Sequence, residues 1–286
     1  MIEFQLSAFA DEASADFSEQ IKVLQEERIP MIELRGLDGK NVSELDDAQA
    51  ETYAGRLREN GISVWAIGSP IGKIKLCDDF SAHLRLCERI FRTARIFGTE
   101  KVRVFSFYTD EPEKDGEEVI RRMLRVTELA KEYGIVLYHE NEKGIYGASA
   151  ANCLTLLKRV PGLHCVLDPA NFIQCGEKIP AALSALQGRI GYYHIKDCLV
   201  KTGEIVPAGE GDGCIGTIID LAAEGSVFTV EPHLAVFEGY SQIDHTQLKN
   251  RKCYASAREA FAVAVQSLRD LFRQKGFREE NQKWIK

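Results

Sequence analysis

The chain has 286 residues, of which 45% are hydrophobic and 28% charged, and a formal net charge of -7. This is the composition of an ordinary globular protein, long enough to bury one large core. An acidic chain repels a phosphate backbone, so the bulk charge argues against nucleic acid as a partner.

The opening residues, MIEFQL, place no basic stretch ahead of a long apolar run, so no signal peptide is expected. No segment approaches the roughly 20 apolar residues of a membrane helix, and no membrane partner is expected. The eight cysteines are Cys77, Cys87, Cys153, Cys165, Cys175, Cys198, Cys214 and Cys253, none in a Cys-x-x-Cys pair. They read as scattered reduced thiols in a cytoplasmic protein.

Along the chain one unit recurs: a short apolar run, a polar loop, then a segment of helical periodicity. The predicted strands are Ile2–Ala8, Met31–Leu34, Ser63–Ile67, Lys101–Phe105, Ile135–Tyr138, His164–Leu167, Gly191–Ile195 and Val227–Val230. Gly61, Gly98 and Gly134 each follow a charged helical stretch and precede a strand, as helix-terminating glycines do. Predicted helices include Phe17–Arg28, Ala82–Phe97, Gly116–Tyr133, Ala150–Arg159 and Ala255–Gln274. This alternation predicts an α/β fold with a parallel sheet. Eight units, and no Gly-rich dinucleotide turn after the first strand, favour a closed (β/α)8 barrel over an open doubly wound sheet. The expectation is a single TIM barrel domain over residues 1–286.

Barrel enzymes place their chemistry at the carboxyl ends of the strands. Strands five to eight run into "VLYHENE", "CVLDPANF", "YYHIKD" and "FTVEPHL", which place Glu140, Asp168, His194 and Glu231 at four consecutive strand ends. Taken singly, each carboxylate reads as a helix cap or a solvated loop residue and the histidine as a satisfied surface or core residue. Spaced by 28, 26 and 37 residues, about one βα unit apiece, the four point into one mouth and form a candidate site for one divalent metal ion. Three carboxylates and one imidazole favour Mn²⁺ or Mg²⁺, with Zn²⁺ or Co²⁺ as alternatives.

The motifs "HENE", "LDPANF", "YHIKD" and "VEPH", in that order, resemble the xylose-isomerase-like sugar phosphate isomerase/epimerase superfamily. That group also holds ketose 3-epimerases, hydroxypyruvate isomerases, inosose dehydratases and abasic-site endonucleases. The resemblance implies that Glu140, Asp168, His194 and Glu231 bind a single metal. It also implies that Glu140 and Glu231 exchange a proton with a carbon next to a carbonyl, through an enediolate stabilised by the metal. The expected activity is that of a metal-dependent isomerase or epimerase of a sugar or sugar phosphate, with a small sugar or polyol as the binding partner and a homodimer allowed. Two departures weaken the ketose-epimerase branch: Asn171 stands where many members have His, and Val200 where those epimerases have Arg. The ends of strands three and four, "AIGSP" and "VFSFY", lack the extra His ligands of the endonucleases and argue against a nuclease.

Other candidates for substrate binding are Asn171, Lys196, His233, Glu142 and Arg35. Lys196 and His233 each lie two residues beyond a proposed ligand, on the same strand face. Glu142 competes with Glu140 as ligand, and Arg35 reads equally as an anion receptor or an ion pair between strands. The loop "PAGEGDG", 207–213, is a candidate phosphate cradle or lid. Two further readings remain: a dehydratase of the inosose or dehydroshikimate kind on the same site, and a barrel that binds a sugar without chemistry.

Overall fold

The computed structural model describes residues 2–235 and 253–286. In chain order the barrel runs β1 (Glu3–Ala8), α1 (Phe17–Glu26), β2 (Met31–Leu34), α2 (Asp47–Glu59), β3 (Ser63–Gly68), α3 (Phe80–Ile96), β4 (Lys101–Val104) and α4 (Pro112–Glu132). It continues with β5 (Val136–Glu140), α5 (Ala150–Arg159), β6 (Leu163–Leu167), α6 (Pro169–Gln174), α7 (Ile179–Leu186), β7 (Ile190–Ile195), α8 (Ile215–Leu221), β8 (Val227–Val230) and α9 (Ala257–Gln274). Neighbouring strands pair in parallel, and β8 returns to β1 with Gln5 opposite Val227 and Ala8 opposite Val230, which closes the barrel. The expected fold is therefore observed. The main difference in the wall is β5, which runs on to include Glu140.

Local chemistry sets the boundaries. Asp16, Asp46, Asp79 and Ser149 cap α1, α2, α3 and α5, each side chain accepting a backbone N–H of the first turn. Gly61, Gly98 and Gly134 hold the positive φ angles that end α2, α3 and α4.

The two-residue period of the strands sorts side chains between two environments. Outward residues such as Ile32, Leu34, Val104, Leu137, Leu167, Ile195 and Val230 meet the helices in the main core. Inward residues begin with an apolar layer of Met31, Ala66, Val166, Tyr192 and Val227. Two residues further up the same strands come Glu33, Asp168, His194 and, via Thr229, Glu231. The lumen thus turns from apolar to ionic within one step of the pleat.

A hairpin of β9 (Arg278–Glu280) and β10 (Lys283–Ile285), not anticipated from the sequence, adds to the wall. Asn281 and Gln282 form its two-residue turn, both with positive φ, as a twist-compatible hairpin requires. β10 pairs antiparallel with β1, setting Trp284 opposite Phe4, and covers the lower half of β1 where β2 does not reach. Trp284 is buried against Phe272 of α9, ring centroids 5.1 Å apart.

At the opposite rim the loops after β3, β4 and β5 are knit together. Phe107 and Tyr108 donate backbone N–H groups to the Gly72 and Ile74 carbonyls, and Thr109 to that of Gly144. Gly72 is required there: a Cβ on it would lie 2.1 Å from the Phe105 carbonyl oxygen. Its own N–H donates to His83 Nε2 of α3, 3.0 Å away.

Candidate metal centre

Glu140, Asp168, His194 and Glu231 meet at the mouth, all buried, with one potential ligand atom from each lying within 4.8 Å of the others. Each arrives by its own local device. Glu140 ends β5, while Asp168 follows β6 and caps α6, its Oδ1 accepting the Asn171 N–H at 3.0 Å. Asp168 therefore is a helix cap as well as a member of the cluster, because its two oxygens face different ways. His194 lies within β7, and Glu231 directly follows β8.

His194 organises the group. Its Nε2 sits 3.0 Å from Glu33 Oε2, and the Tyr192 hydroxyl donates to the other Glu33 oxygen at 2.9 Å. An N–H on Nε2 leaves Nδ1 turned to the cluster, 3.1 Å from Glu140 Oε1 and 3.0 Å from Glu231 Oε2. His194 Nδ1, Glu231 Oε2 and Asp168 Oδ2 are buried without a hydrogen-bond partner of acceptable geometry, although Lys196 Nζ lies 2.9 Å from Asp168 Oδ2 as an ion pair. Buried polar atoms left in this way are costly unless something else binds them. Three carboxylates and an imidazole converge here, with two of the carboxylate oxygens and the imidazole nitrogen lacking a hydrogen bond, and this donor set fits a divalent cation.

The charge balance points the same way. Six buried carboxylates, Asp11, Glu12, Glu33, Glu140, Asp168 and Glu231, face three buried permanent cations, Arg35, Arg103 and Lys196. Burial pushes Asp168 up to about 7 against the pull of Lys196, and Glu12 up to about 8 against that of Arg35. Burial alone would lower His194, but Glu33, Glu140 and Glu231 outweigh it and hold the metal-free imidazole well above its ordinary value. Glu231 is held well below the usual carboxylate range by Lys196 and His194, in spite of its burial.

Each of the two glutamates has an arginine beside it, hydrogen-bonded in one case and within ion-pair distance in the other. Glu231 Oε1 receives Arg35 Nη1 at 3.0 Å, and Arg103 Nε lies 3.3 Å from Glu140 Oε2. Each thus turns one oxygen to His194 and the other to an arginine. Phe9 stands by both guanidiniums, its ring 4.2 Å from Arg35 and 5.8 Å from Arg103, and meets His194 edge-on.

The remaining candidates take distinct places. Asn171 is buried and donates to Glu140 Oε1 at 3.3 Å and to the Asn141 carbonyl at 3.0 Å. Lys196 reaches the cluster through Asp168. His233, in a left-handed conformation, donates its backbone N–H to Glu12 Oε2 and brings Nε2 to 3.5 Å from Glu231 Oε1; burial pushes its imidazole down to about 4. Glu142 lies outside the four and pairs with Lys73 at 3.4 Å. Arg35 is 3% exposed and forms ion pairs with Asp11, Glu12 and Glu231, so of its two readings the structure shows the ion pair.

The Gly-rich loop is no open cradle. The N–H groups of Gly209, Gly211 and Gly213 donate to the Asp197 carboxylate at 2.9, 3.1 and 2.8 Å. A Cβ at Gly211 would lie 2.3 Å from Asp197 Oδ1, so the loop is shaped around an anion that the chain itself supplies.

Asp11, Glu12 and Arg103 are not among the residues the sequence singles out, yet they stand in the mouth. Asp11 and Glu12 lie in the short turn that follows β1 in "AFADE", and Arg103 stands inside the apolar strand "KVRVF". An arginine facing the lumen of a barrel is itself a signal, since Arg is rarely fully buried unless paired.

No curated protein matches this sequence significantly. Among solved structures, the probable 3-DHS dehydratase AsbF involved in petrobactin synthesis from Bacillus anthracis is similar, with 18% identity, a TM-score of 0.71, and coverage of 95% of this chain and 98% of that one. The IOLI protein with a binding zinc atom and D-psicose 3-epimerase in the presence of D-fructose each give 17% identity, a TM-score of 0.72, and coverage of 93% of this chain and 97% of theirs. At such identities the likeness is one of fold. A family model, described as xylose isomerase-like TIM barrel, matches residues 29–269, and the chain belongs to that family.

Proposed function

We propose that this chain is a metal-dependent isomerase or epimerase acting at the carbon next to a carbonyl of a small sugar or polyol-derived substrate. The observation that carries this reading is the pair of glutamates: Glu140 and Glu231 each present one oxygen to the common centre at His194 Nδ1 while the other faces an arginine. Held so, one carboxylate removes a proton from the substrate carbon and the other returns one. Return on the opposite face gives an epimer, and return at the adjacent carbon gives an isomer. A divalent cation held by Glu140, Asp168, His194 and Glu231 would supply Lewis-acid stabilisation of the negative charge that develops as the C–H bond breaks. The carboxylate-rich donor set favours Mn²⁺ or Mg²⁺, and the zinc atom of one structural relative keeps Zn²⁺ in view.

Lys196, held charged by Asp168 and Glu231 in spite of its burial, is positioned to hydrogen-bond a substrate oxygen. His233, neutral above about pH 4, offers a donor or acceptor beside Glu231. The Asp197-filled loop favours an unphosphorylated substrate, because the backbone donors that would bind a phosphate are already engaged.

A dehydratase shares the same first proton removal, and the likeness to the AsbF dehydratase keeps that second reading alive. Incubation of the Mn²⁺-loaded protein with ketopentoses, ketohexoses and cyclic polyol ketones in D₂O tests both. Deuterium appearing at the carbon beside the carbonyl, lost on chelation and reduced by about 10²-fold or more in Glu231→Gln, is the expected result. Full exchange in that variant rules out the acid/base role. Loss of water from the product assigns the dehydratase, and tight binding of one sugar with no exchange assigns a sugar-binding barrel.

A further inference from the structure

Beside the four-residue centre lies a second group with metal-ligand character, Glu12, Glu231 and His233, all buried. His233 Nε2 is 3.3 Å from Glu12 Oε1 and 3.5 Å from Glu231 Oε1. Those same two oxygens are held by one guanidinium: Arg35 Nη2 is 3.2 Å from Glu12 Oε1, and Nη1 is 3.0 Å from Glu231 Oε1. We infer that Arg35 stands where a second divalent cation would otherwise bind, and so restricts the centre to one metal ion. The inference rests on the reading of Glu140, Asp168, His194 and Glu231 as the resident metal site, and it concerns how many ions the mouth accepts.

Three features make Arg35 a fixture at this position. Asp11 grips it from behind with both oxygens, at 2.8 and 3.1 Å. Gly36 makes that grip sterically feasible, since a Cβ there would lie 2.9 Å from Asp11 Oδ2. Phe9 covers one face of the guanidinium at 4.2 Å. An entering ion would have to break a buried, multiply hydrogen-bonded ion pair and leave Asp11 uncompensated, which is strongly unfavourable. Glu231 therefore turns its two oxygens to different neighbours, Oε2 to the centre at His194 Nδ1, where a metal ion would be held, and Oε1 to Arg35.

The test is metal stoichiometry, measured with Mn²⁺ by calorimetry and by electron paramagnetic resonance. The wild type is expected to bind one equivalent, with the spectrum of isolated ions. Folded Arg35→Met is expected to bind two, with the spectrum of a spin-coupled pair, and the Glu12→Gln, Arg35→Met double variant to return to one. If Arg35→Met does not fold, Asp11→Asn, Arg35→Gln removes one charge of each sign while keeping Glu12, Glu231 and His233, and is expected to bind two. Two equivalents in the wild type, or one in a folded variant lacking Arg35 alone or together with Asp11, overturns the assignment to Arg35. No binding by the wild type overturns instead the metal centre on which the inference rests.

Discussion

Glu33 touches none of the other three members of the centre, yet it decides which nitrogen of His194 faces them. Its carboxylate takes Nε2 and is itself fixed by Tyr192. Glu33→Gln is expected to keep the fold and to weaken Mn²⁺ binding by roughly 10–100-fold, since loss of the partner that orients a ligating histidine costs about that much; unchanged affinity in a titration would show that Glu33 does not orient it. His83 illustrates a residue whose charge state matters to the rim. Burial, aided by Arg122, pushes its pKa down to about 4 from an ordinary 6.5. The unfolded chain therefore takes up a proton first on acidification, so His83 contributes stability above about pH 6.5 that is lost as the pH falls toward 4. Urea unfolding should lose on the order of 3 kcal/mol from this source by pH 4. His83→Gln, which keeps an acceptor for the Gly72 N–H but cannot titrate in this range, should flatten that part of the profile. An identical pH slope in the variant would exclude His83 as its source.

At the scale of elements, the parts most legible in the sequence were those governed by local rules. Strand positions followed from apolar runs, and helix ends from Gly61, Gly98 and Gly134, because a residue with positive φ leaves a mark that needs no tertiary context. Glu140, Asp168, His194 and Glu231 were legible for a related reason: four metal-capable residues recurring at the period of the βα unit are visible along the chain. What stayed hidden depends on which surfaces meet across the fold. Nothing local in "PAGEGDG" announces that Asp197, on the preceding segment, already fills its ring of N–H groups. The β9–β10 hairpin was missed because its strands have three residues each, and its place in the wall depends on pairing with β1 around Phe4, at the far end of the sequence, as well as on Phe272 of the adjacent α9. Trp284→Ala is expected to destabilise the protein by about 3–5 kcal/mol, as removal of a fully buried tryptophan does, read as a lower denaturant midpoint. A loss below about 1 kcal/mol would mean that β10 contributes little to the wall.

For the whole molecule, the barrel carries an ionic mouth on an apolar layer, and the proposed metal ion would couple that imbalance of charge to the stability of the fold. A cation that binds only the folded chain stabilises it by mass action, about 2.7 kcal/mol at a hundred times the dissociation constant. For a chain of this size that corresponds to a rise in Tm of about 5 °C on adding Mn²⁺, reversed by chelation. A Tm indifferent to divalent ions would remove the physical basis of the proposed centre. The hairpin gives the architecture a further property. β1 leans on β8 along one edge and on β10 along the lower part of the other, and both partners lie beyond residue 226. During synthesis β1 must therefore wait for strands made long after it. Pairings of such long sequence separation form slowly, so ring closure should come late in folding, and a ribosome-bound chain stalled before β8 should hold its first strand still unzipped along that edge.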